Sequence, residues 1–262
     1  MCRWIAYRGQ PTYLETLVCA PAHSLVAQSL CAGEAKSATN GDGFGLGWYG
    51  ERAEPGLYRE TRPAWADENL RSLCAQVRSR LFFAHVRAST GAAIARANCH
   101  PFALGRHMFM HNGQIGGFAA IRRRVEAMIG DEFYPHRQGA TDSEALFLAL
   151  LSRQSGEGVV AAMAGLLVEV TALMRGAGIA EPLRLAAALS DGEDVFAFRW
   201  ASDNKAPSLY WRESGGDLLI ASEPLDGVHK HWREVPKGCA LVARQGRPAE
   251  MECLDAAMRA AA

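Results

Sequence analysis

The sequence has no cysteine pair spaced as C-x-x-C, no excess of either charge, and no amino-terminal apolar segment of about 7–15 residues that would indicate export. Seven cysteines are an odd number, and with this spacing they argue against both a disulfide framework and a zinc ribbon. Basic and acidic residues number 28 each, so no general affinity for nucleic acid or an anionic membrane is expected. We therefore expect reduced thiols, a cytoplasmic location, and neither a nucleic-acid nor a membrane partner.

Several binding motifs are also missing. The glycine-rich stretch 41–50 does not fit G-x-G-x-x-G, and it lacks the Lys-Ser or Lys-Thr of a P-loop. The cysteine and histidine at positions 99 and 100 match no zinc spacing. The most apolar run, 159–174, contains Glu169 and is too short for a membrane span. The sequence thus predicts no cofactor, no metal and no transmembrane helix.

The predicted elements run in the order strands, helices, strands. They are strands at 2–7, 43–50, 57–61, 81–86 and 108–111, helices at 23–30, 67–77, 118–129, 145–151 and 159–174, and strands at 183–189, 195–200, 208–212, 218–221 and 240–243. The alternation of glycine with large residues in 43–50 predicts that another sheet or a ligand packs closely there. Without a repeat or long polar linker, we predict one domain over residues 2–262 whose helices cover two sheets.

Cys2 becomes the amino-terminal residue if Met1 is removed, and methionine is usually removed before a small residue. A thiol and a free α-amine then belong to one residue, and the amine can accept the thiol proton directly or through one water. The alternative is a cysteine that simply opens a buried strand. Considered by itself, Cys2 favours the buried-strand interpretation, so the choice between the two depends on the other motifs of the chain.

Three further segments carry groups suited to a small substrate. Arg87 ends an apolar strand and offers a planar fork to a carboxylate, with a surface ion pair as the alternative. Asn112-Gly113 predicts a tight turn whose amide and backbone N–H form an oxyanion hole, with a plain hairpin as the alternative. Asp142, in a Thr-Asp-Ser-Glu helix start, either caps the helix or binds an ammonium group. With Cys2, these are the parts needed to cleave a γ-glutamyl amide.

In this chain order, the residues resemble the class II glutamine amidotransferases, which are N-terminal-nucleophile hydrolases. The resemblance rests on Cys2, Asn-Gly-Asp-Gly-Phe-Gly-Leu-Gly-Trp (40–48), His-Val-Arg-Ala-Ser-Thr (85–90), Asn-Cys-His-Pro-Phe (98–102), His-Asn-Gly-Gln-Ile (111–115), Thr-Asp-Ser-Glu (141–144) and Ile-Ala-Ser-Glu-Pro-Leu (220–225). The chain resembles the stand-alone members most, such as the γ-glutamyl amidohydrolase of the ergothioneine pathway and the amidotransferase-like subunit of glutathione breakdown.

The resemblance implies an α+β fold of four layers, αββα, in which two stacked, mainly antiparallel sheets lie between helical layers. It implies Cys2 as the nucleophile, its α-amine as the base, and Asn112 with Gly113 as the oxyanion hole. The substrate-binding residues it implies are Arg87 for the α-carboxylate, Thr90 beside it, Asp142 for the α-amino group, and His100 to shape the pocket.

The implied activity is hydrolysis of the γ-glutamyl amide of glutamine or of a γ-glutamyl conjugate through a Cys2 thioester. Synthetase-linked members carry tryptophan and histidine where this chain has Ala88 and Gly91, so the resemblance does not extend to gating or an ammonia channel. We expect no second, ammonia-consuming domain. Two alternatives stay open, a glutaminase subunit that supplies ammonia to a separate synthase and a catalytically silent binding module. A synthase or peptidase partner subunit and a homo-oligomer are both compatible with the sequence.

Overall fold

A computed structural model describes residues 2–34, 39–89, 91, 93–154, 158–226 and 228–261. Within these ranges the strands are β1 (Arg3–Tyr13), β2 (Phe44–Trp48), β3 (Gly56–Glu60), β4 (Arg78–Val86), β5 (Phe102–Leu104), β6 (His107–Gln114), β7 (Arg184–Ser190), β8 (Val195–Ala201), β9 (Tyr210–Ser214), β10 (Asp217–Ala221), β11 (Arg233–Glu234), β12 (Cys239–Ala243) and β13 (Glu250–Cys253). The α-helices are α1 (Glu15–Val18), α2 (Leu25–Leu30), α3 (Glu68–Gln76), α4 (Phe118–Glu126), α5 (Asp142–Arg153), α6 (Val159–Gly176) and α7 (Leu254–Ala261).

The strands form two antiparallel sheets. The first sheet has seven strands in the order β11-β9-β10-β1-β4-β2-β3, and the second has six in the order β13-β12-β8-β7-β6-β5. The first strand of the chain, β1, pairs on one side with β4 and on the other with β10. Strand β1 therefore lies in the interior of the sheet, between strands that are distant in sequence.

Alternate side chains of each central strand enter different cores, because successive residues of a strand point to opposite faces. On β1, Trp4 and Ala6 lie in the core between the sheets, whereas Ile5 and Tyr7 lie in the core beneath the neighbouring helices. Other members of the inter-sheet core are Leu81, Phe83, Met108, Met110, Ala186 and Ala188. Both faces of these strands are buried, so the apolar residues run almost continuously in the sequence.

Helices cover the outer face of each sheet. Side chains of α1, α2 and α3 join the outer core of the first sheet, and those of α4 to α7 join the outer core of the second. In the second core, Phe109 of β6 stacks on Phe147 of α5 with ring centroids 5.6 Å apart. These layers give the αββα arrangement that the resemblance implied, and the α+β prediction is confirmed. The extent of the single domain, residues 2–262, stays a prediction.

Three helices begin where a side-chain oxygen caps them. The Ser24 hydroxyl accepts a hydrogen bond from the Ala27 N–H at the start of α2, and the Asp67 carboxylate accepts one from Leu70 at the start of α3. At α5, Thr141 Oγ1 accepts from the Glu144 N–H at 3.2 Å. Each bond satisfies a backbone donor that the first helical turn leaves unpaired.

The expectation that the apolar run 159–174 is too short for a membrane span is not met, because helix α6 extends to 18 residues with a mean hydropathy of 1.6 and passes that test by length and composition alone. In the structure it packs beside α4, α5 and α7. Its buried side chains are Val160, Ala162, Met163, Ala164, Leu166, Leu167, Val170 and Met174, and all belong to the outer core of the second sheet. We therefore interpret α6 as a core helix of the layered domain.

The glycines of β2 are required by close packing. A Cβ on Gly45 would lie 2.2 Å from the carbonyl oxygen of His100, and one on Gly47 would lie 2.5 Å from Met108 Sδ. The contact with the backbone oxygen of His100 is sterically excluded, so position 45 requires glycine, whereas a side chain at position 47 would have to displace the Met108 side chain. Of the two predicted neighbours, another sheet or a ligand, the structure shows the second sheet, because the contacts come from His100 just before β5 and from Met108 of β6.

Most predicted elements are present with shifted ends, but one prediction is wrong. Asn112-Gly113 does not form a tight turn, because β6 continues through Gln114 and pairs Asn112 with Ala186 and Gly113 with Leu185 of β7. Tertiary pairing thus overrides the local turn preference of Asn-Gly. Elements that the sequence patterns missed are short, from two to eight residues, namely α1, β5, β11, β13 and α7.

Candidate active site

A cavity of about 890 Å³ lies near the neighbouring ends of β1, β4 and β6. It is lined by six of the seven residues that the sequence singled out, Cys2, Arg87, His100, Asn112, Gly113 and Asp142. The seventh, Thr90, lies outside the described residues. The cavity therefore unites groups that are up to 140 residues apart in sequence (142 − 2).

Strand alternation explains why three of these side chains meet. Cys2 is two residues before Trp4, Arg87 is four residues after Phe83, and Asn112 is two residues after Met110. Even-numbered spacing keeps each side chain on the same face as its neighbour in the inter-sheet core. The cavity therefore lies at the end of the inter-sheet core, where polar side chains continue the same strand faces that carry the apolar core residues.

Cys2 presents its thiol at the wall of the cavity. The Ala88 N–H donates a hydrogen bond to Cys2 Sγ at 3.4 Å, and Sγ lies 3.5 Å from the Ala88 carbonyl oxygen. Burial raises the pKa of the Cys2 thiol, while the Ala88 N–H and the charges of Arg87 and Arg3 act to lower it. Because burial dominates, the thiol is protonated at neutral pH, and a base beside it is needed for nucleophilic attack.

Arg87 is buried, with 3% of its surface exposed, so the surface ion pair considered as an alternative is wrong. Its guanidinium donates to the Asp42 carbonyl oxygen at 3.4 Å and to Ser89 Oγ at 3.2 Å. The Asp42 carboxylate in turn accepts the Ser89 N–H at 2.8 Å, and Gly43 O accepts the Arg87 N–H. The Asn-Gly-Asp-Gly segment thus holds the arginine in place. Asp42 and Ser89 were not assigned a role from the sequence, although both lie in motifs that carry the family resemblance (40–48 and 85–90).

Asn112 has an exposed fraction of 1%, and neither Oδ1 nor Nδ2 of its amide has a hydrogen-bond partner within the described part of the chain. A buried polar group without a partner carries a desolvation penalty, so this amide is suited to receive a ligand. The next residue must be glycine, because a Cβ on Gly113 would lie 1.9 Å from the Arg184 carbonyl oxygen. Gly113 also lines the cavity, beside Asn112.

Asp142 is the first residue of α5, and Thr141 caps that helix. The carboxylate accepts the Ile115 N–H at 2.7 Å through Oδ2 and the Ser143 N–H at 2.8 Å through Oδ1. The Ser143 hydroxyl also lies 3.3 Å from Oδ1. A carboxylate has about four acceptor positions, so at least one remains for a cation in the cavity. The acidic residue of the predicted capping pattern, Glu144, accepts the backbone N–H groups of residues 138 and 139.

His111 connects the strand of Asn112 to the helix of Asp142. Its Nδ1 lies 2.9 Å from Ser143 Oγ, and its Nε2 lies 3.2 Å from the Arg184 carbonyl oxygen. Since a carbonyl oxygen can only accept, Nε2 carries the proton and Nδ1 accepts from the Ser143 hydroxyl. Burial lowers the pKa of His111, which agrees with a neutral ring.

His100 lines the cavity with an exposed fraction of 4%, and its ring lies 4.2 Å from the ring of His85 between centroids. Burial lowers the pKa of His85 to about 3 and that of His100 well below its usual range, so both are neutral at pH 7. Neither ring nitrogen of His100 has a hydrogen-bond partner among the residues the structure describes. Over the same residues, no group of three or more His, Cys, Asp or Glu side chains is arranged to hold a metal ion.

The sequence of residues 17–206 matches the family described as "Glutamine amidotransferases class-II". The chain belongs to the class II glutamine amidotransferases. This confirms the family resemblance and identifies the layered domain as an amidohydrolase-type enzyme with the N-terminal-nucleophile hydrolase fold.

Two curated relatives of this amidotransferase align over most of its length. The "Probable glutamine amidotransferase DUG3" of Saccharomyces cerevisiae is 33% identical over 94% of this chain and 82% of its own. The "Gamma-glutamyl-hercynylcysteine sulfoxide hydrolase" of Mycolicibacterium smegmatis is 28% identical over 90% of this chain and 92% of its own. A glutamine amidotransferase and a γ-glutamyl hydrolase among the relatives both agree with the family resemblance.

Solved structures share the fold of this amidotransferase. A glutamine aminotransferase class-II domain protein from Silicibacter pomeroyi has a TM-score of 0.75 and 37% identity, and the match covers 96% of this chain and 99% of that one. A glutamine phosphoribosylpyrophosphate amidotransferase from B. subtilis has a TM-score of 0.64 at 15% identity, covering 97% of this chain and 49% of that one. The second likeness shows the fold alone.

Proposed function

We propose that this amidotransferase hydrolyses the γ-glutamyl amide bond of glutamine or of a γ-glutamyl conjugate through a thioester on Cys2. The observation that carries the proposal is the shared cavity, which contains a thiol, a buried guanidinium, an unpaired amide and a carboxylate. These groups match the reacting carbonyl and the two charged ends of a glutamyl group. The name of the Mycolicibacterium smegmatis relative, a hydrolase of a γ-glutamyl compound, supports the same bond type.

The first half of the reaction forms the thioester. After removal of Met1, the α-amine of Cys2 takes the thiol proton, directly or through one water, and Sγ attacks the γ-carbonyl carbon. The carbonyl oxygen becomes an oxyanion that accepts hydrogen bonds from Asn112 Nδ2 and the Gly113 N–H. The leaving amine takes a proton from the α-ammonium and departs.

The second half releases glutamate. The α-amine of Cys2 deprotonates a water, which attacks the thioester carbonyl, and the same two donors stabilise the second oxyanion. Collapse of this intermediate returns the proton to the sulfur. An α-amine has a reference pKa of about 7.7–8.0, close enough to neutrality to accept and return protons at physiological pH.

Arg87 and Asp142 would bind the charged ends of the glutamyl group. The planar guanidinium of Arg87 suits the α-carboxylate, and the carboxylate of Asp142 suits the α-ammonium group. His100, whose neutral ring faces the cavity without a partner in the described chain, would shape the pocket between them. Thr90 remains a proposed neighbour of Arg87.

Replacing Arg87 or Asp142 by alanine is expected to raise the KM for a γ-glutamyl substrate by about 10- to 100-fold, with a smaller change in kcat. Each change removes hydrogen bonds between charged groups, which contribute about 1.5–3 kcal/mol. Steady-state kinetics of glutamate release, on glutamine and on a γ-glutamyl dipeptide, give both constants. Arg123→Ala, on the exposed face of α4, is the matched control. An unchanged KM in both site variants would contradict the assigned roles.

The proposal is tested by incubating the purified protein alone with glutamine and a panel of γ-glutamyl compounds, and measuring glutamate. Turnover without another protein supports a hydrolase. Glutamine turnover that requires an added synthase or peptidase subunit would instead support the ammonia-supplying role, and no turnover under any condition would support a silent binding module. We also infer a cytoplasmic location, because all seven cysteines are free.

A further inference from the structure

The Glu223 carboxylate lies in the fold next to the amino terminus, although 220 residues separate it from Arg3. It is 4% exposed and receives four contacts, from Arg3 Nε at 2.9 Å, the Gly33 N–H at 2.8 Å, the Glu34 N–H at 3.2 Å and His23 Nε2 at 2.6 Å. Burial acts to raise the pKa of Glu223, but these hydrogen bonds and the charge of Arg3 lower it overall. The group is therefore a buried carboxylate held in its ionised form.

Arg3 carries this interaction to the residue before it. Its guanidinium, fully buried, pairs with Glu223 through Nε and donates from Nη1 to the carbonyl oxygen of Cys2 at 3.0 Å. Arg3 is not among the residues that line the cavity, and alternation along β1 directs it to the face opposite Cys2. It is thus placed to hold the main chain of Cys2 without touching a substrate.

The adjacent residues complete the connection. Ser222 Oγ accepts the Trp4 N–H at 2.9 Å, and the Ser222 N–H donates to the Trp4 carbonyl oxygen at 3.0 Å. Residues 222 and 223 therefore fix residues 2 to 4 through both backbone and side-chain bonds. The first residues of a chain are poorly ordered unless they are tied down in this way.

Stability alone does not account for a buried ion pair at this place. The desolvation of two charges offsets most of their attraction, and well-packed apolar residues often serve as well. A planar guanidinium that joins a carboxylate to a main-chain carbonyl instead specifies one geometry. What it specifies here is the position of the proposed nucleophile.

We propose that Glu223 and Arg3 are positioning residues that fix the main chain of Cys2, and hence the direction of its thiol and α-amine, toward the bound amide. This inference rests on the proposed function for its kinetic consequences. Displacement of a reacting group by about 1 Å costs up to about 10²-fold in rate. The binding groups Arg87 and Asp142 are held by other segments, so the loss belongs to kcat.

The test compares Arg3→Lys, Glu223→Gln and the double variant with Arg212→Lys. Arg212 is the matched control, because it lies on β9 of the same sheet and pairs with Asp226 at 2.9 Å, and no hydrogen bond between described residues joins it to Cys2. Arg3→Lys keeps the charge but cannot bond Glu223 and the Cys2 carbonyl with one planar fork. We expect kcat to fall about 10- to 100-fold with KM within about twofold of wild type, the double variant to lose less than the product of the single losses, and the control to be unchanged.

A second readout does not depend on turnover. Cys2 is alkylated with iodoacetamide and followed by peptide mass spectrometry, with the exposed Cys253 as internal reference. We expect the alkylation rate of Cys2 to differ from that of wild type in Arg3→Lys and Glu223→Gln and to equal it in Arg212→Lys. If wild type turns over no substrate, the proposed function fails and the alkylation rates still test the positioning. If Glu223→Gln does not fold, Arg3→Lys decides alone. Wild-type kcat and alkylation in Arg3→Lys, or a raised KM with unchanged kcat, would overturn the inference.

Discussion

Cys2→Ala is expected to lower kcat for γ-glutamyl hydrolysis by at least about 10⁴-fold, since removal of a nucleophile from a catalytic unit removes nearly all of its rate enhancement. The structure gives no substitute, because the other described cysteines do not line the cavity. Cys253→Ala, a change at an exposed thiol on the edge strand β13, is the matched control and is expected to retain full activity. Activity in Cys2→Ala near that of wild type would rule out the proposed mechanism.

The same residue allows the intermediate to be observed directly. Rapid acid quenching of the wild-type protein with substrate is expected to show an added mass of about 129 Da on the Cys2 peptide, the glutamyl group of the thioester. The adduct should be absent from Cys2→Ala and present in Cys253→Ala.

The α-amine has its own test. A protein made with an amino-terminal extension that keeps Met1 is expected to be inactive, and removal of the extension to leave Cys2 first should restore turnover. Full activity of the extended protein would show that the thiol acts without the α-amine, and the proposed base would then be wrong.

The family motifs predicted which residues line the cavity, whereas patterns of hydropathy could not. Cys2, Arg87 and Asn112 are separated by 85 and 25 residues (87 − 2 and 112 − 87), so no local signal joins them. Alternation places each on one face of its own strand, but which strands become neighbours depends on pairing across the two sheets. The order of the motifs indicated which strands become neighbours, because it matches a known family in which those strands already pair.

The local turn preference of one segment gave a wrong prediction, because pairing with a neighbouring strand was stronger. Asn-Gly is a strong turn signal, yet Asn112 and Gly113 continue β6 because β7 offers them a partner strand. The requirement for glycine comes from the carbonyl of Arg184, a residue of that partner strand. Likewise, the pair between Arg3 and Glu223 has no local signature, since both charges read as surface residues in isolation.

Asn112→Ala is expected to lower kcat by about 10²–10³-fold while leaving the thermal stability of the protein unchanged or slightly higher. Loss of one oxyanion donor has that effect on rate in other hydrolases. The effect on stability differs from that of most buried polar residues, because the Asn112 amide has no partner in the described structure to lose. Its removal eliminates the desolvation penalty of an unpaired amide, about 1–3 kcal/mol, which offsets the small void that alanine leaves.

A second asparagine provides the contrast. Asn40 is also buried, and its Oδ1 likewise has no partner in the described structure, but its Nδ2 donates to the Gln28 carbonyl oxygen at 3.2 Å. Asn40→Ala should therefore lower the melting temperature, because it leaves a buried carbonyl unpaired. Asn112→Asp keeps the shape of the side chain but replaces the donor with a negative charge, so its kcat should be no higher than that of Asn112→Ala. If Asn112→Ala lowers the melting temperature as much as Asn40→Ala and leaves kcat intact, the amide is structural and the oxyanion must be bound elsewhere. The opposite pattern, lost rate without lost stability, is expected of a group kept unpaired for the transition state.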